Sequence, residues 1–366
     1  MKILHLLYSG LGGTGNVFFS MIKADENSLF EYEAIFAGVE DIRQEYIMKS
    51  NLFGFSWKYI RKKRGWDTRF SRSMVSSITT SPSSIILLHG SRFILLAKIA
   101  AIFSKNKKKI LAIETQSNHL KTKKEWVWLI LTLLLADHIV FLTEQFKHEV
   151  GRKFPLLYRT QNCSVINNGI DLALFTPAIR PRTEVILLGM QSRIVTIKDH
   201  ATLLKAFALL QTAHPELTLE LMIAGEGDNL PAMKELAEEL KISAQVQFTG
   251  LLDEPQLVGF LQSLDIYIHA SLGETMSTAI MQAMACKLPV IASDVPGISN
   301  MITNKVTGIL VPVQNTKALA HAIYSLITDA QKAGLIKEAA FNFAQSYYSN
   351  TTMFAKYKAV FEQLKT

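Results

Sequence analysis

The sequence contains few cysteines and no long hydrophobic run. Cys163 and Cys286 are its only two cysteines, and they form no disulfide or metal-binding pattern. The longest apolar run, Trp126–Ala136, has eleven residues, whereas a membrane-spanning helix needs about 20. We therefore expect a protein of a reducing cytosol, without disulfides and without a transmembrane segment.

Several motifs with known chemistry are also missing. The chain has no Asp-x-Asp pair, no His-Glu-x-x-His and no Cys/His cluster, so we expect no metal site. It contains neither the Gly-x-Ser-x-Gly elbow of the α/β-hydrolases nor the lysine of a P-loop. Its chemistry must therefore come from other residues.

The composition is that of a folded protein with an uneven charge. Of the 366 residues, 49% are apolar and 19% are charged, and this length allows two domains. Residues 1–180 hold 25 Lys and Arg against 14 Asp and Glu, whereas residues 181–366 hold 14 against 17. The positive first half is expected to face an anionic partner.

Both halves alternate short apolar strands with helical patterns, which is typical of parallel α/β sheets. The first ten residues resemble a signal peptide, but their apolar run is short and leads into glycines, so we interpret it as a first strand. The predicted link between the halves is Asp171–Arg182, which contains two prolines, and a final helix is expected at about Met353–Lys365. The predicted strands are Lys2–Tyr8, Tyr32–Ala37, Ser84–His89, Lys109–Glu114, His138–Leu142, Cys163–Ile166, Glu184–Met190, Leu217–Ala224, Gln245–Thr249, Asp265–Ala270, Val290–Ala292 and Ile309–Val311.

A glycine-rich segment, Gly10–Gly15, directly follows the first predicted strand and matches G-x-G-x-x-G. Glycines at such a turn let the backbone approach a phosphate at a helix N-terminus. A dinucleotide site also needs an acid at the end of the second strand, and Glu40 and Asp41 come late for that role. The segment is therefore a sugar- or phosphate-facing loop, a nicotinamide site or a plain turn.

Two further segments place polar residues after predicted strands of the second half. Arg193 and Lys198 follow one strand, and two cations at the carboxyl end of a parallel strand suit a phosphate. Gly225, Glu226 and Gly227 follow the next strand, in a tight turn that a base or ribose could approach. Solvated cations and a simple turn are the plainer interpretations.

The segment Ser271–Asp294 combines a carboxylate with the start of a helix. Glu274 lies in a Ser/Gly/Thr loop just before a short amphipathic helix, and a buried strand follows. Free N–H groups at a helix N-terminus attract phosphate, and a carboxylate accepts hydroxyl protons. The pattern favours a ligand with sugar hydroxyls at one end and phosphates at the other.

The first half also contains basic clusters interleaved with aromatic residues. These are Lys58–Arg64, flanked by Trp57 and Trp66; Lys105–Lys109; and Lys121, Lys123 and Lys124, which precede Trp126 and Trp128. Such clusters suit an anionic membrane surface, while a solvated basic face and nucleic-acid binding are the alternatives. No recognised nucleic-acid module is present.

His89 ends a predicted strand of the first half, and Glu114 and His119 border the loop after the next one. They are candidates for acid–base chemistry or hydroxyl binding, although a lone loop histidine is usually only solvated.

Together these segments resemble the retaining glycosyltransferases of family 4, which have the GT-B fold. The resemblance covers most of the chain and is strongest over about 163–313. Its motifs are Val165–Asp171 with Phe175, the R-x(4)-K pair Arg193 and Lys198, the turn Gly225–Gly227, the first-strand glycines Gly12 and Gly13, and Glu274 as the first acid of E-x(7)-E.

The resemblance implies roles for these residues and exposes departures. Glu274 would contact the donor sugar's hydroxyls, and the backbone at Ser277 and Thr278 would hold the distal phosphate. The second acid, expected to bind the ribose, is Gln282, which loses the strength of a charge-assisted bond. Three further positions depart from the family: Lys287 replaces a usual glycine, Asn300 replaces a usual acid, and the usual histidine of the N-terminal domain falls near Thr115, with His119 as a nearby substitute.

The resemblance implies two Rossmann-like parallel-sheet domains facing a central cleft. We expect an acceptor-side domain over 1–175, joined by the C-terminal helix at about 350–366, and a donor-binding domain over 180–349.

The expected activity is retaining transfer of a hexosyl or N-acetylhexosaminyl group from a nucleotide-diphosphate sugar to a glycan or lipid-linked acceptor. The expected role is in bacterial cell-surface polysaccharide or lipopolysaccharide synthesis. We expect no cofactor, no metal and no nucleic-acid partner, and a cytoplasmic enzyme peripheral on the inner face of the membrane. The alternatives are a sugar-nucleotide epimerase, a weakened glycan-binding relative and a nicotinamide-dependent oxidoreductase.

Overall fold

The computed structural model describes residues 1–10, 13–179 and 184–365. The chain forms two compact units. One contains Met1–Gly169 together with Asn350–Thr366, and the other contains Ile170–Ser349. The chain thus leaves the first unit, builds the second and returns to the first with its last helix.

The first unit is built on a seven-stranded parallel sheet. Its strands are β1 (Lys2–Tyr8), β2 (Glu31–Gly38), β3 (Ser56–Arg61), β4 (Ile85–His89), β5 (Lys109–Glu114), β6 (His138–Phe141) and β7 (Cys163–Val165), in the order β3-β2-β1-β4-β5-β6-β7. Its helices are α1 (Gly13–Ala24), α2 (Gln44–Leu52), α3 (Thr68–Thr80), α4 (Ile94–Phe103), α5 (Lys123–Leu135), α6 (Glu144–Lys153) and, from the end of the chain, α14 (Asn350–Lys365).

The buried strands explain why this sheet is parallel and covered. In β1 the five central residues are all buried, and a strand that is covered on both faces needs such a continuous apolar run. Met74 of α3, Ala97 of α4 and Trp128 of α5 belong to one core with strand residues such as Leu4. Helices α3, α4 and α5 therefore cover the same face of the sheet.

Strand β3 is a correction to the sequence analysis, which recognised only a basic cluster at Lys58–Arg64. That cluster begins within the strand, which lies at the edge of the sheet next to β2. Lys58 and Arg61 are exposed there, and charged side chains on an edge strand discourage pairing with other chains. The same charges remove the apolar run by which the other strands were predicted.

The second unit has a six-stranded parallel sheet. Its strands are β8 (Ile186–Gln191), β9 (Leu219–Ala224), β10 (Val246–Gly250), β11 (Ile266–His269), β12 (Val290–Ser293) and β13 (Ile309–Val311), in the order β10-β9-β8-β11-β12-β13. Its helices are α7 (His200–Ala213), α8 (Leu230–Glu239), α9 (Glu254–Ser263), α10 (Thr278–Ala285), α11 (Pro296–Ser299), α12 (Thr316–Thr328) and α13 (Ala330–Tyr347).

The strand order of the second sheet reverses beside β8. The chain runs from β8 through β9 to β10 at one edge, and then returns to place β11 on the other side of β8. In open parallel sheets, ligands bind outside the carboxyl ends of the strands at such a reversal. The loops that follow β8 and β11 are therefore where a ligand site is expected.

The longest apolar run of the sequence, up to its penultimate residue, lies in α5, which has thirteen residues. Within the described ranges, no helix is both long and apolar enough to cross a membrane.

Candidate functional site

The loops after β8 and β11 are joined by backbone hydrogen bonds. The N–H of Leu272 donates to the carbonyl of Ile197 at 2.8 Å, and the Ser271 hydroxyl donates to the same carbonyl at 3.0 Å. A short 3-10 turn, Thr196–Lys198, ends the first loop, and Asp199 then adopts a φ of +23° before α7 begins. These bonds bring two distant sequence segments together at the switch point.

An ion pair between Lys198 and Glu274 lies at this junction. The Lys198 ammonium donates to Glu274 Oε1, and the two side chains are only 14% and 12% exposed. His269 Nε2 lies 2.7 Å from the same carboxylate oxygen. A carboxylate can only accept, so we assign the proton of this hydrogen bond to His269 Nε2.

This environment keeps Glu274 charged. Burial by itself would raise its pKa, but the charge of Lys198 and the hydrogen bond from His269 outweigh burial and lower the pKa of Glu274 to about 2. At neutral pH the carboxylate is therefore ionised and can accept hydroxyl protons from a ligand.

His269 ends β11 and is fully enclosed by protein. Its Nδ1 lies 3.2 Å from the hydroxyl of Tyr267, and its Nε2 is also 3.4 Å from the hydroxyl of Ser277. Burial lowers the pKa of His269, although the neighbouring Glu274 opposes this shift. A neutral imidazole thus connects the carboxylate with the start of α10.

Helix α10 begins at Ser277 and Thr278. The Ser277 hydroxyl accepts from the N–H of Ile280 at 3.4 Å and caps the helix, while the Ser277 N–H donates to the sulfur of Met301 at 3.2 Å. The N–H groups of the first helical turn have no partners within the helix, and they carry the positive end of its dipole. This end can attract a phosphate.

The glycine turn after β9 supports the loop of Arg193. Gly225 has a φ of +134°, and a Cβ on it would lie 2.0 Å from the carbonyl oxygen of Ser192. The Ile194 N–H donates to the carbonyl of Glu226 at 2.8 Å. The backbones of the two loops therefore run in direct contact, which a side chain at Gly225 would prevent. The side chains of Arg193 and Glu226 are exposed.

Gln282 lies on α10 with 6% of its surface exposed. Its Oε1 is buried without a hydrogen-bond partner in the described part of the chain. A buried amide oxygen without a partner is unfavourable, so this atom is suited to a donor from a ligand.

The site residues predicted in the first unit lie near the carboxyl ends of its strands. Gly13 is the exposed first residue of α1, whereas Gly12 lies outside the described residues. His89 Nε2 is 3.0 Å from Nδ1 of the buried His5, and burial lowers the pKa of His89 to about 3. His119 is exposed, with a pKa lowered by partial burial.

Glu114 is held by several groups of its own unit. It is buried, it accepts from the Ser91 hydroxyl and the Gln116 N–H at 3.0 Å each, and it pairs with the ammonium of Lys121 at 3.4 Å. Burial lowers the pKa of Lys121, against the opposing charge of Glu114. In this arrangement Glu114 holds a buried cation in place.

Sequence reasoning missed His269, Tyr267 and Lys121. The two residues of β11 lie in an apolar run that predicted only a strand, and Lys121 was counted among the basic residues of a surface. No group of three or more His, Cys, Asp or Glu side chains within the described ranges could hold a metal ion.

Solved structures share this two-sheet architecture over the whole chain. Anabaena HepE, solved in complex with UDP and glucose, superposes with a TM-score of 0.82, covering 99% of each chain at 17% identity. The protein therefore has the GT-B fold, with two parallel-sheet α/β domains, as its sequence predicts.

Sequence comparison narrows this class. Residues 176–343, which lie within the second unit, match the model of the family described as glycosyl transferases group 1. The D-inositol 3-phosphate glycosyltransferase of Kribbella flavida is 29% identical over 229 residues, which cover 58% of this chain and 53% of that protein. The chain thus matches about half the length of this relative.

An uncharacterized glycosyltransferase of Methanocaldococcus jannaschii is similar over a longer span. The two sequences are 24% identical over 299 residues, covering 76% of this chain and 75% of that protein.

Proposed function

We propose that the protein is a glycosyltransferase that moves a sugar from a nucleotide-diphosphate sugar to a hydroxyl group, with retention of the anomeric configuration. The observation that carries the proposal is the Lys198–Glu274 pair beside the N-terminus of α10. A cation and a helix N-terminus suit the diphosphate, and an ionised carboxylate suits the sugar hydroxyls.

In this proposal the second unit stabilises the leaving diphosphate. As the bond between the anomeric carbon and the phosphate oxygen breaks, negative charge builds up on that oxygen. Arg193, Lys198 and the N–H groups at the start of α10 would stabilise the charge, and no metal is required. Glu274 would orient the sugar through its hydroxyl groups.

The low pKa of Glu274 argues against this carboxylate as the base of the reaction. A carboxylate with a pKa of about 2 is a weak base at neutral pH. We propose that the acceptor oxygen bonds to the anomeric carbon on the face from which the diphosphate leaves. The acceptor proton then passes to the leaving phosphate oxygen.

The nucleoside end of the donor is assigned to Gln282 and the glycine turn. The orphan Oε1 of Gln282 would accept a hydrogen bond from one ribose hydroxyl, and the backbone at Gly225 and Glu226 would lie against the base or ribose. The complex of HepE with UDP and glucose makes uridine nucleotides the first candidates to test.

The acceptor is assigned to His89, Glu114 and His119 of the first unit, whereas Gly12 and Gly13 are assigned to the loop that faces the sugar or phosphate of the donor. We propose a glycan or lipid-linked acceptor at the inner face of a bacterial membrane, used in cell-surface polysaccharide or lipopolysaccharide synthesis. The transferred group would be a hexose or an N-acetylhexosamine. The excess of Lys and Arg over Asp and Glu in residues 1–180 supports an anionic membrane surface as partner.

The test is turnover of nucleotide sugars by the purified chain and by Arg193→Ala. We expect the variant to lose about 100-fold or more in kcat/KM, since it removes a charge that stabilises the transition state. Lys205→Ala, an exposed cation on α7, is the matched control and should keep full activity.

The products separate the proposal from its rivals. We expect transfer of the sugar to an acceptor, at a rate that the metal chelator EDTA does not change. Release of an altered sugar nucleotide without any acceptor indicates an epimerase, and donor binding without turnover indicates a binding protein. If Arg193→Ala keeps full activity, the Arg193 side chain does not stabilise the leaving diphosphate.

A further inference from the structure

The solvent-facing stripe of α4 is apolar. Leu95, Ile99 and Ile102 are spaced four and three residues apart on its outer face and are 38%, 42% and 67% exposed. Phe103 beside them is 72% exposed. A helix that covers a sheet normally carries polar residues on its outer face, so this stripe is unusual.

Helix α5 extends this apolar surface. It packs beside α4 and exposes Val127 to 54% and Leu134 to 57%, seven residues apart along one face. We name the four exposed residues of α4 and these two of α5 the α4–α5 stripe. Exposed apolar residues grouped on neighbouring helices mark an interaction surface more strongly than scattered ones.

Cations surround the α4–α5 stripe, with very few acids among them. Residues 58–137, which include all of α5, contain 16 Lys and Arg and four acids. All four acids are engaged within the fold: Asp67 caps α3, Glu114 pairs with the buried Lys121, Glu125 completes the capping box of α5, and Asp137 pairs with Lys109. The exposed cations around the stripe are Arg69, Arg72, Lys105, Lys107, Lys123 and Lys124.

The parallel topology places these cations at both ends of the stripe. Each of α3, α4 and α5 begins after a strand's carboxyl end and leads back to the amino edge of the sheet. Arg69 near the start of α3 and Lys123 at the start of α5 therefore lie toward the carboxyl edge. Lys105 and Lys107, which follow α4, lie toward the amino edge.

We infer that the α4–α5 stripe and its flanking cations dock the protein on an anionic lipid bilayer. Apolar side chains on one face and Lys or Arg around them are the pattern of helices that lie in the membrane interface. A second copy of the chain would bring like charges together across a symmetric contact. Nucleic acid would use the cations but leave the apolar side chains in water.

This inference deepens the membrane part of the proposed function, but its test needs neither donor nor acceptor. The full chain is mixed with vesicles of phosphatidylcholine alone or with 30% phosphatidylserine, and co-sedimentation is measured at low and high salt. We expect binding to the anionic vesicles, weakened by salt because the surface charges are screened. Equal binding to both vesicle types, or none, overturns the inference.

Two double variants with matched controls test the surface. Ile102→Ser with Phe103→Ser should weaken binding to anionic vesicles at least tenfold. Met48→Ser with Leu52→Ser removes side chains that are 64% and 80% exposed on α2, and it should leave binding unchanged. Equal effects of the two pairs contradict the assignment to α4.

A second pair tests the cations. Lys105→Gln with Lys107→Gln should weaken binding about 25-fold, since each basic residue near the leaflet contributes about as much as a fivefold change. Lys234→Gln with Lys317→Gln removes the same charge from exposed sites of the second unit and serves as control. If both pairs weaken binding alike, net charge and not this surface is responsible.

The outcomes also separate this inference from the proposed function. Lost vesicle binding with normal turnover on a soluble acceptor is expected for the α4 double variant. If the protein binds vesicles but turns over no donor, the docking inference stands and the proposed activity is contradicted. Light scattering shows whether the protein is a dimer. If it is, and if the α4 double variant is a monomer, the stripe binds a second copy of the chain and the inference is overturned.

Discussion

Glu274 remains charged in a nearly closed environment because two neighbours neutralise and orient it. Removing a carboxylate from water is unfavourable unless it is paired and hydrogen-bonded. Lys198 supplies the charge, and His269 supplies a hydrogen bond of 2.7 Å from a side chain that burial keeps neutral. In the proposed reaction this arrangement holds the carboxylate in position before the donor arrives.

Replacing Lys198 with Met tests the charge at this junction. We expect kcat/KM with a nucleotide sugar to fall about 100-fold or more, because one stabilising charge and the partner of Glu274 are both lost. Lys205→Met on α7 is the control. Steady-state kinetics measure the effect, and a variant as active as its control contradicts a role for this cation.

Replacing His269 tests a positioning role. In His269→Asn we expect the pKa of Glu274 to rise from about 2, because a hydrogen bond to the charged form is weakened. The kcat/KM of the variant should therefore decline between pH 7 and 4, because Glu274 becomes protonated. In the starting protein Glu274 stays ionised over this range and causes no decline. Identical pH profiles indicate that His269 only fills space.

At the residue scale, the charged residues of the candidate site were predicted from the sequence, but the buried residues that contact them were not. Arg193, Lys198 and Glu274 stand in motifs, and the topology explains why the last two meet. The role of His269 could not be predicted because a histidine within an apolar strand resembles any core residue. The unpaired oxygen of Gln282 also became visible only in the folded chain.

At the scale of elements, the turn after β9 supports the loop after β8. Gly227, like Gly225, lies against the other backbone, and a Cβ on it would be 2.3 Å from the Ile194 carbonyl oxygen. The approach explains why both positions are glycines, independently of any ligand. The proposed contact with the nucleoside and the local packing thus require glycine at the same positions.

Replacing Gly225 with Ala should destabilise the second unit. The added Cβ meets backbone, and a φ of +134° is unfavourable for alanine, so a loss of about 2 kcal/mol or more is expected. Gly334→Ala is the matched control, since it lies in α13 with no atom within 4 Å of its Cβ and should stabilise by about 0.5–1 kcal/mol. Urea denaturation compares the two variants, and equal stabilities contradict the packing argument.

Elements with clear apolar runs were predicted well. The structure confirms Lys2–Tyr8, Lys109–Glu114 and Ile309–Val311 with the same ends. Strand β3 could not be predicted from such a pattern, because only Ile60 of its six residues is buried. Edge strands owe their structure to the neighbouring strand more than to their own composition.

At the scale of the whole molecule, buried histidines make stability depend on pH. Burial lowers the pKa of His5 and His89 in the first unit, and it lowers that of His200 in the second unit to about 4, each from an ordinary value of 6.5. Below pH 6.5 the unfolded chain binds protons that the folded chain does not. Stability should therefore fall as the pH drops from 6.5 toward 4.

The variant His200→Gln tests this linkage. Its free energy of unfolding should depend less on pH between 7 and 5 than that of the starting protein, whereas His321→Gln, an exposed control on α12, should not change the slope. Denaturant titrations at several pH values provide the measurement. Equal slopes for all three proteins contradict the burial argument.

The charge of the chain is also divided unevenly between its two halves, with the positive excess in residues 1–180. The sequence predicted this division and the two sheets. It could not predict the α4–α5 stripe, because exposed and buried apolar residues of a helix look alike until the sheet that the helix covers is known.

The most direct test of the central claim is a thermal-shift panel of nucleoside diphosphates, their sugar conjugates and NAD, with the starting protein and Arg193→Ala. Ligands that bind the native state raise the apparent Tm. We predict that at least one nucleoside diphosphate and its sugar conjugate raise the Tm of the starting protein, with a smaller shift in the variant. Stabilisation by NAD alone, or equal shifts in both proteins, would contradict the assignment of the second unit as a nucleotide-sugar site.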